Sequence, residues 1–124
     1  MKVVIGIPAY NEENNIAKII AGISKKGYSV IVCDDGSTDL TKTISEKMGA
    51  SLVSHSKNLG YGAGIRSIFQ KAKEMDFDVL VTFDADGQHR VSDIDIVLEP
   101  IIKKTADVVI GSRYVKGGGR RGGA

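Results

Sequence analysis

Acidic, amide and hydroxyl side chains are concentrated in four short segments of this chain, and each segment follows an apolar run. The segments read PAYNE at 8–12, DDGSTD at 34–39, NLGYG at 58–62 and DADGQH at 84–89. If the apolar runs are parallel strands, these segments meet at the carboxyl edge of one sheet, where open α/β sheets bind their ligands. The sequence therefore predicts one polar site built from four loops.

Asp84 and Asp86 close the fourth apolar run, and a spacing of two places both side chains on the same side of an extended chain. Two such carboxylates suit Mg²⁺ or Mn²⁺, which complete their shell with water and substrate phosphates. The alternative is that both acids cap a helix or lie solvated in a turn. Gln88 adds a likeness to a calcium-binding EF-hand, but that loop needs glycine where this chain has His89 and glutamate where it has Asp95.

Asp34 and Asp35 close the second apolar run, ahead of Gly36 and Ser37. One interpretation is a helix cap with one additional acid, although a single cap does not require two aspartates. The interpretation we favour is that these carboxylates accept hydrogen bonds from a ribose hydroxyl or from a base N–H.

Gly60, Gly62 and Gly64 follow the third apolar run. Their G-x-G-x-G spacing differs from the G-x-G-x-x-G fingerprint of dinucleotide-binding domains, which also follows the first strand. They predict a tight strand-to-helix turn, with close approach of the backbone to a ligand as a second interpretation.

Five apolar, β-branched runs predict strands at residues 3–7, 30–33, 51–53, 79–83 and 108–110. The intervening segments have the i, i+3, i+4, i+7 spacing of a helix with one buried face. The apolar positions of the four helices are Ile16, Ile19, Ile20 and Ile23; Leu40, Ile44 and Met48; Ile65, Ile68, Phe69 and Ala72; and Ile94, Val97, Leu98 and Ile101. This alternation predicts an α/β fold, a Rossmann-like three-layer α/β/α sandwich with a mainly parallel sheet.

Local signals mark the ends of the less regular helices. Ser37 or Asp39 is expected to open the second helix and Gly49 to close it. Ser92 and Asp95 form an approximate capping box for the fourth helix, and Pro100 predicts a bend near residue 99.

The composition, with 42% hydrophobic and 26% charged residues, is that of an ordinary soluble domain. Four of the 17 basic residues lie at positions 113–124, so the body is close to neutral and no basic face for nucleic acid is expected. The single cysteine, Cys33, lies in an apolar run and is expected to be a buried strand residue. No segment has the roughly 20 apolar residues that cross a bilayer, which favours a cytoplasmic location.

Taken together, five segments resemble the inverting family-2 glycosyltransferases of the GT-A fold, and within them the dolichyl- or polyprenyl-phosphate sugar transferases. The segments are IPAYNEE at 7–13, VCDDGSTD at 32–39, NLGYGAG at 58–64, DADGQH at 84–89 and VIGSRY at 109–114. The resemblance implies a nucleotide-sugar-binding domain over residues 1–116, corresponding to the N-terminal part of such enzymes. Residues 117–124 are expected to form a flexible Gly/Arg-rich tail.

The resemblance also implies roles for individual residues. Asp84, Asp86 and Gln88 would surround the metal, and Arg113 would lie near the acceptor phosphate, with an ion pair or a surface charge as its alternatives. Asp84, Asp86 and Arg113 would then form the catalytic set. The nucleotide sugar would contact Pro8, Ala9, Tyr10, Glu12, Asp34, Asp35, Gly60, Asp84, Ala85 and Asp86.

The function implied is transfer of a sugar, with inversion, from a UDP- or GDP-sugar to a polyprenyl or dolichyl phosphate at the cytoplasmic face of a membrane, with peripheral membrane association. One alternative is a nucleotide-sugar-binding module or inactive fragment that lacks the acceptor half. Another is a nucleotidyltransferase or NAD-linked domain. That alternative is disfavoured because Tyr10, Asn11 and Glu12 stand where a phosphate-binding loop needs glycines.

Overall fold

The predicted alternation of strands and helices is present in the computed structural model of the chain, which describes residues 2–85, 91–96, 98, 108–110 and 113–115. Residues 93–96 and 98 are helical. The other elements, in chain order, are β1 (Val3–Ala9), α1 (Ile16–Lys25), β2 (Ser29–Asp35), α2 (Thr41–Lys47), β3 (Ser51–His55), α3 (Tyr61–Glu74), β4 (Val79–Thr82), β5 (Val108–Ile110) and β6 (Arg113–Val115).

Within the described residues the sheet has six strands in the order β3-β2-β1-β4-β5-β6. All neighbouring strands pair in parallel except β5 and β6, which are antiparallel. The chain therefore builds outward from β1 through β2 and β3, and then returns to the other side of β1 to form β4. Such a reversal of strand order opens a crevice at the carboxyl ends of the two strands that flank it.

The sheet is covered on both faces, which confirms the predicted three-layer α/β/α arrangement. On one face α1 and the helical residues 93–96 pack against alternate residues of the strands. The buried residues of this cluster are Ile5, Ile7, Ala9, Ile16, Ile20, Ile23, Val30, Val32, Val79, Val81, Phe83, Ala85, Ile94 and Leu98. On the other face α3 contributes Ile68 and Ala72 to a cluster with Val4, Ile31, Cys33 and Leu80. The predicted burial of Cys33 is thereby confirmed.

Two glycines allow α3 to lie close to the sheet. A β-carbon at Gly6 of β1 would collide with a methyl group of Ile68 and lie 3.1 Å from Leu80. A β-carbon at Gly64 of α3 would lie 3.5 Å from the β-carbon of Pro8. The start of α3 is therefore seated against the end of β1, next to the crevice.

The second helix departs from its prediction in part: Ile44 packs against the core as predicted, but the fully buried residues of the helix are polar. Leu40 and Met48 are exposed, whereas Thr41 and Ser45 are fully buried. The Ser45 hydroxyl donates to the Thr41 carbonyl at 2.8 Å, so burial leaves that hydroxyl with a hydrogen-bond partner. The predicted end of the helix at Gly49 is confirmed by its positive φ of 89°.

The fourth helix and the last strands agree only in part with the sequence-based prediction. The predicted capping role of Asp95 is replaced by a link to the neighbouring layer, since its carboxylate accepts bonds from Lys26 Nζ and the Tyr28 hydroxyl, each at 2.6 Å. The predicted bend near residue 99 lies outside the described residues, as does the predicted tail at 117–124. The short strand β6 was not predicted.

Candidate functional site

A cleft of about 450 Å³ opens at the carboxyl edge of the sheet, at the reversal between β1 and β4. The segments that follow β1, β3 and β4 contribute to its lining, whereas the second polar segment contributes only Asp35, the last residue of β2. The described residues that line it are Pro8, Ala9, Tyr10, Glu12, Asp35, Asn58, Gly60, Tyr61, Gly64, Asp84 and Ala85.

Pro8 lies where β1 and β4 separate. The pairing of these strands ends at Gly6 and Thr82, and the Gly6 carbonyl accepts the Phe83 N–H at 2.8 Å. Pro8, two residues beyond Gly6, directs its backbone to the same side of β1, where no ladder bond is left to make. Proline, which has no N–H, therefore removes no hydrogen bond from the sheet at this position, and β1 and β4 can separate around the cleft.

The loop after β1 is fastened to the loop after β2 through Asn11. The Asn11 N–H donates to Ser37 Oγ at 2.8 Å, and its side-chain oxygen accepts the Thr38 N–H at 2.8 Å. Asn11 has a φ of 53°, in the left-handed region that asparagine tolerates better than most residues. This geometry fixes the chain direction between Tyr10 and Glu12, which both line the cleft.

A second set of bonds continues the same connection towards α2. The Glu12 N–H donates to Thr41 Oγ1 at 2.8 Å, and the Glu13 carboxylate accepts the Leu40 N–H at 3.0 Å. Asp39 accepts the Thr41 N–H at 2.9 Å beside the start of α2, but the N-cap position is Leu40 rather than the predicted Ser37 or Asp39. Because backbone atoms of both loops take part, the loop after β2 holds in place the loop after β1, which lines the cleft.

Asp35 is held by three donors at the base of the cleft. Its Oδ1 accepts from His55 Nδ1 at 2.7 Å and from the Leu59 N–H at 2.9 Å, and its Oδ2 accepts from the Gly60 N–H at 2.9 Å. Burial raises the pKa of this carboxyl, but the bonds from His55, Leu59 and Gly60 together hold the pKa below its ordinary value. Asp35 is therefore an ionised acceptor at neutral pH.

Asp34 is buried and is not among the described residues that line the cleft. Only 3% of the residue is exposed, and its Oδ1 accepts the Ser37 N–H at 3.3 Å. This bond closes a turn at residues 34–37 and does not cap a helix, since α2 begins at Thr41. Contact of Asp34 with a nucleotide stays a prediction.

Asp84 lines the cleft on the side of β4, beside the buried Ala85. The hydroxyl of Tyr61, the first residue of α3, donates to Asp84 Oδ1 at 3.4 Å. Asp86 and Gln88, the other predicted metal ligands, lie outside the described residues. Among the described residues no three His, Cys, Asp or Glu side chains are grouped closely enough to hold a metal ion.

The charge of the cleft bears on its ligand. Glu12, Asp35 and Asp84 are acidic, and the described residues that line the cleft include no lysine or arginine. A phosphate group could enter such a lining only with a cation to offset the carboxylates. The residues present thus fit a hard divalent ion that takes one or two carboxylates and completes its shell with water and phosphate oxygens.

Arg113 begins β6, and its backbone pairs with Ile110. Its side chain is outside the description, so its predicted place near an acceptor phosphate stays a prediction. Within the described part of the chain, no helix has the length and apolar character needed to cross a membrane.

Sequence reasoning missed four residues of this site: Asn11, which joins two loops, Asn58 and Tyr61, which line the cleft, and His55, a partner of Asp35. His55 ends β3, three residues before the third polar segment begins at Asn58, and a histidine at that edge of the sheet was the available signal. Its Nε2 lies 2.8 Å from Ser67 Oγ and 3.8 Å from Cys33 Sγ.

Cys33 is a buried packing residue with a protonated thiol. Burial, with Asp35 and Asp34 nearby, raises the pKa of this thiol to about 11.

The fold and the cleft define a class: α/β domains that bind a ligand at the strand-order reversal of a mainly parallel sheet. Residues 4–123 match the profile of the family described as "Glycosyl transferase family 2". The chain belongs to glycosyl transferase family 2, which confirms the family resemblance predicted from the five segments.

Relatives with described activities include two archaeal enzymes. The chain is 35% identical over 125 residues to the UDP-N-acetylglucosamine--dolichyl-phosphate N-acetylglucosaminyltransferase of Methanococcus voltae, covering 86% of this chain and 50% of that protein. It is 36% identical over 126 residues to the dolichol-phosphate mannosyltransferase of Pyrococcus furiosus, covering 95% of this chain and 35% of that protein. The chain thus spans half or less of the length of these relatives.

A solved structure shares the fold. Glucosyl-3-phosphoglycerate synthase from Mycobacterium tuberculosis, in complex with Mn²⁺, UDP and glucosyl-3-phosphoglycerate, aligns with a TM-score of 0.67 and 25% identity. The alignment covers 81% of this chain and 39% of the synthase. The same enzyme has also been crystallised with Mg²⁺ and UDP.

Proposed function

We propose that this chain is the donor-binding part of a metal-dependent inverting glycosyltransferase that uses a UDP- or GDP-linked sugar. The observation that carries the proposal is the acidic cleft at the strand-order reversal, lined by Tyr10, Glu12, Asp35 and Asp84. Membership of glycosyl transferase family 2 supports the sugar donor, and the relative from M. voltae is named for a UDP-sugar.

The nucleoside is proposed to lie against the loop after β1 and the end of β2. Pro8, Ala9, Tyr10 and Glu12 would contact it, and Asp35 would accept a hydrogen bond from the base. Tyr10 is 46% exposed, and its aromatic ring offers a surface on which a base can stack. Asp34 is proposed to act next to Asp35, through the turn that it caps.

Mg²⁺ or Mn²⁺ is the proposed cofactor, held by Asp84 together with Asp86 and Gln88. When bound, the cation offsets the charge of the diphosphate and stabilises it as a leaving group. The three carboxylates of the described lining support this assignment, because they would otherwise repel a diphosphate. The M. tuberculosis synthase, crystallised with UDP and Mn²⁺, gives independent support.

The proposed acceptor is a polyprenyl or dolichyl phosphate, as in the names of the relatives. A phosphomonoester has a second pKa near 6, so it is largely dianionic at neutral pH and needs little help from a base. Arg113 is proposed to lie near this phosphate. Such an acceptor would bring the protein to the cytoplasmic face of a membrane as a peripheral protein, with residues 1–116 as the binding domain and residues 117–124 as a tail.

Calorimetric titration of the chain with UDP and GDP, with and without Mn²⁺, tests the proposal. Binding of one nucleotide, strengthened by the metal, is the expected result. Equal affinity with and without Mn²⁺ and Mg²⁺ in a folded sample would overturn the metal-dependent donor site. Tight NADH binding with no response to UDP or GDP would favour the dinucleotide alternative instead.

A second candidate function is binding of a nucleotide sugar without transfer. It is favoured by one observation: the matched relatives are about twice as long as the chain or longer, so transfer can depend on sequence beyond these 124 residues. Incubation with a sugar nucleotide, Mn²⁺ and polyprenyl phosphate separates the two candidates. Release of the nucleotide with formation of a lipid-linked sugar would exclude binding alone.

A further inference from the structure

His55 lies beside Asp35, on the neighbouring strand β3, and its imidazole is hydrogen-bonded to the Asp35 carboxylate. The two residues are direct partners in the parallel pairing of β2 and β3, and this register brings their side chains together. The side chains of His55 and Asp35 are 11% and 9% exposed. His55 is not among the residues that line the cleft, so any effect on a ligand must pass through Asp35.

The hydrogen-bond partners fix where the imidazole carries its proton. An ionised carboxylate is only an acceptor, so His55 Nδ1 must donate across the 2.7 Å to Asp35 Oδ1. Nε2 is then free to accept from the Ser67 hydroxyl, 2.8 Å away on α3. Ser67, His55 and Asp35 thus form a chain of hydrogen bonds from α3 to the base of the cleft.

The hydrogen bonds to Asp35 leave one acceptor site of its carboxylate unoccupied among the described groups. Each carboxylate oxygen has about two acceptor sites. Oδ1 is filled by His55 and Leu59, whereas Oδ2 accepts only from Gly60 among the described groups. The remaining acceptor site of this lining residue is therefore on Oδ2.

We propose that His55 is a positioning residue that holds Asp35 ionised and oriented, so that Oδ2 accepts an N–H from the ring of the nucleobase. The inference rests on the proposed function, in which the cleft binds a nucleoside diphosphate. An acceptor-only group at this point selects uracil or guanine, whose ring nitrogens N3 and N1 carry hydrogen. It disfavours cytosine and adenine, whose corresponding ring nitrogens are themselves acceptors, because two facing lone pairs repel.

Two substitutions of similar polarity separate the two contacts of His55. In His55→Asn the amide nitrogen is attached to Cγ, as Nδ1 is, and can still donate to Asp35. In His55→Gln the amide lies one bond further out, near the position of Nε2, so the contact with Ser67 can persist while the donor to Asp35 is lost. A purely structural role would make both substitutions comparable.

The test is calorimetric binding of UDP, CDP, GDP and ADP to the 124-residue chain and both variants in Mg²⁺. In the unmodified protein we expect UDP to bind more tightly than CDP, or GDP more tightly than ADP, by on the order of 10–100-fold, the range for a hydrogen bond to a charged group. His55→Gln should reduce this ratio about tenfold, whereas His55→Asn should retain most of it.

The outcomes distinguish this inference from the proposed function. If the chain binds a nucleoside diphosphate and His55→Gln retains the full base preference, the positioning role is wrong and the donor site stands. If the chain binds none of the four nucleotides, both are overturned. A ligand-free readout is the pKa of the Asp35 carboxyl by carbon NMR, which should rise in His55→Gln and stay near its original value in His55→Asn. An unchanged pKa in His55→Gln would also overturn the inference.

Discussion

The Tyr61 hydroxyl donates to Asp84 Oδ1 at 3.4 Å, joining the first residue of α3 to the segment after β4. Both residues line the cleft, so this contact spans the space in which we propose that a diphosphate binds. A hydrogen bond of this length is weak. Tyr61→Phe should therefore change Mn²⁺-dependent affinity for UDP or GDP by no more than about threefold. A larger loss in calorimetry would mean that the hydroxyl contacts the ligand itself.

Asp84→Asn should have a much larger effect, because it removes the carboxylate proposed to hold the cation. We expect Mn²⁺-dependent nucleotide affinity to fall by at least 10–100-fold, roughly the range observed when only the supporting partners of metal ligands are changed. The residue lies at a loop edge, so circular dichroism and the melting temperature should stay close to those of the unmodified protein.

Asp76→Asn is a matched control for that substitution. Asp76 is exposed at the opposite edge of the sheet, and its φ of 60° is one that asparagine also adopts. It loses the same charge with no contact to the cleft, so nucleotide affinity should be unchanged. Equal losses in Asp76→Asn and Asp84→Asn would show that net charge, rather than a metal ligand, controls binding.

The strands and most helices could be predicted because burial imposes a period on the sequence, and that period is visible without knowledge of the fold. The polar buried residues of α2 could not be predicted, because their burial depends on the hydrogen bond from the Ser45 hydroxyl to the Thr41 carbonyl. The contact between Asp35 and His55 could not be predicted from the sequence either. It depends on the register of β2 against β3, and a slip of one residue would turn His55 to the other face of the sheet.

For the loops of the site, their position could be predicted from the sequence but their contacts could not. The position of polar loops at one sheet edge follows from topology, which alternation of strands and helices implies. Which donor meets which acceptor depends on loop conformation, as in the left-handed backbone of Asn11. The residues most easily overlooked were therefore those that hold the lining residues, rather than the lining residues themselves.

The connection between the first two loops can be tested at Asn11. Asn11→Gly keeps the positive φ accessible but removes the acceptor for the Thr38 N–H, and should cost about 0.5–1.5 kcal/mol of unfolding free energy. Asn11→Ala loses the same bond and also disfavours the left-handed backbone, adding about 1 kcal/mol. Urea unfolding of both variants checks the order, and a more stable alanine variant would contradict the assigned backbone conformation.

The pH dependence of stability provides a test of the bonds to Asp35. Its pKa is lower in the folded protein than in the unfolded chain, so its contribution is present above the unfolded value of about 3.9 and is lost as the pH falls through the folded value. The stability gap between the unmodified protein and Asp35→Asn should therefore narrow in acid. Urea unfolding near neutral pH and near about pH 3 measures it. A constant gap would show that the carboxylate is not preferentially ionised in the folded state.

The layer opposite α3 has its own titrating contact, between Tyr28 and Asp95. Burial, followed by the hydrogen bond to Asp95 and its negative charge, raises the pKa of Tyr28 to about 12. The contribution of this contact to the free energy of unfolding is complete below about pH 10, the pKa of tyrosine in the unfolded chain. It is lost as the pH rises through the pKa of Tyr28 in the folded protein. In Asp95→Asn the phenol should titrate at lower pH but remain above its unfolded value, because burial persists. Phenolate absorbance measures this, with Tyr28→Phe identifying the signal, and an unchanged titration would contradict the bond.

Two glycines on either side of the start of α3 should respond in opposite directions to the same substitution. Gly60 has φ 100° and ψ 166°, a conformation almost restricted to glycine, so Gly60→Ala should cost about 1–3 kcal/mol although no atom lies within 4 Å of the added carbon. Gly62 is helical, and Gly62→Ala should stabilise α3 by up to about 1 kcal/mol.

Nucleotide binding should separate the same pair. The Gly60 N–H donates to Asp35 Oδ2 at 2.9 Å, so a backbone shift that relieves the strain at residue 60 also disturbs the carboxylate. Gly60→Ala should therefore weaken UDP or GDP binding beyond its effect on the folded fraction, whereas Gly62→Ala should leave Asp35 in place. Urea unfolding and calorimetry on both variants give the two measurements. If Gly60→Ala were destabilised yet bound nucleotide with full affinity, the turn before α3 would serve only the fold, and Asp35 would not depend on it.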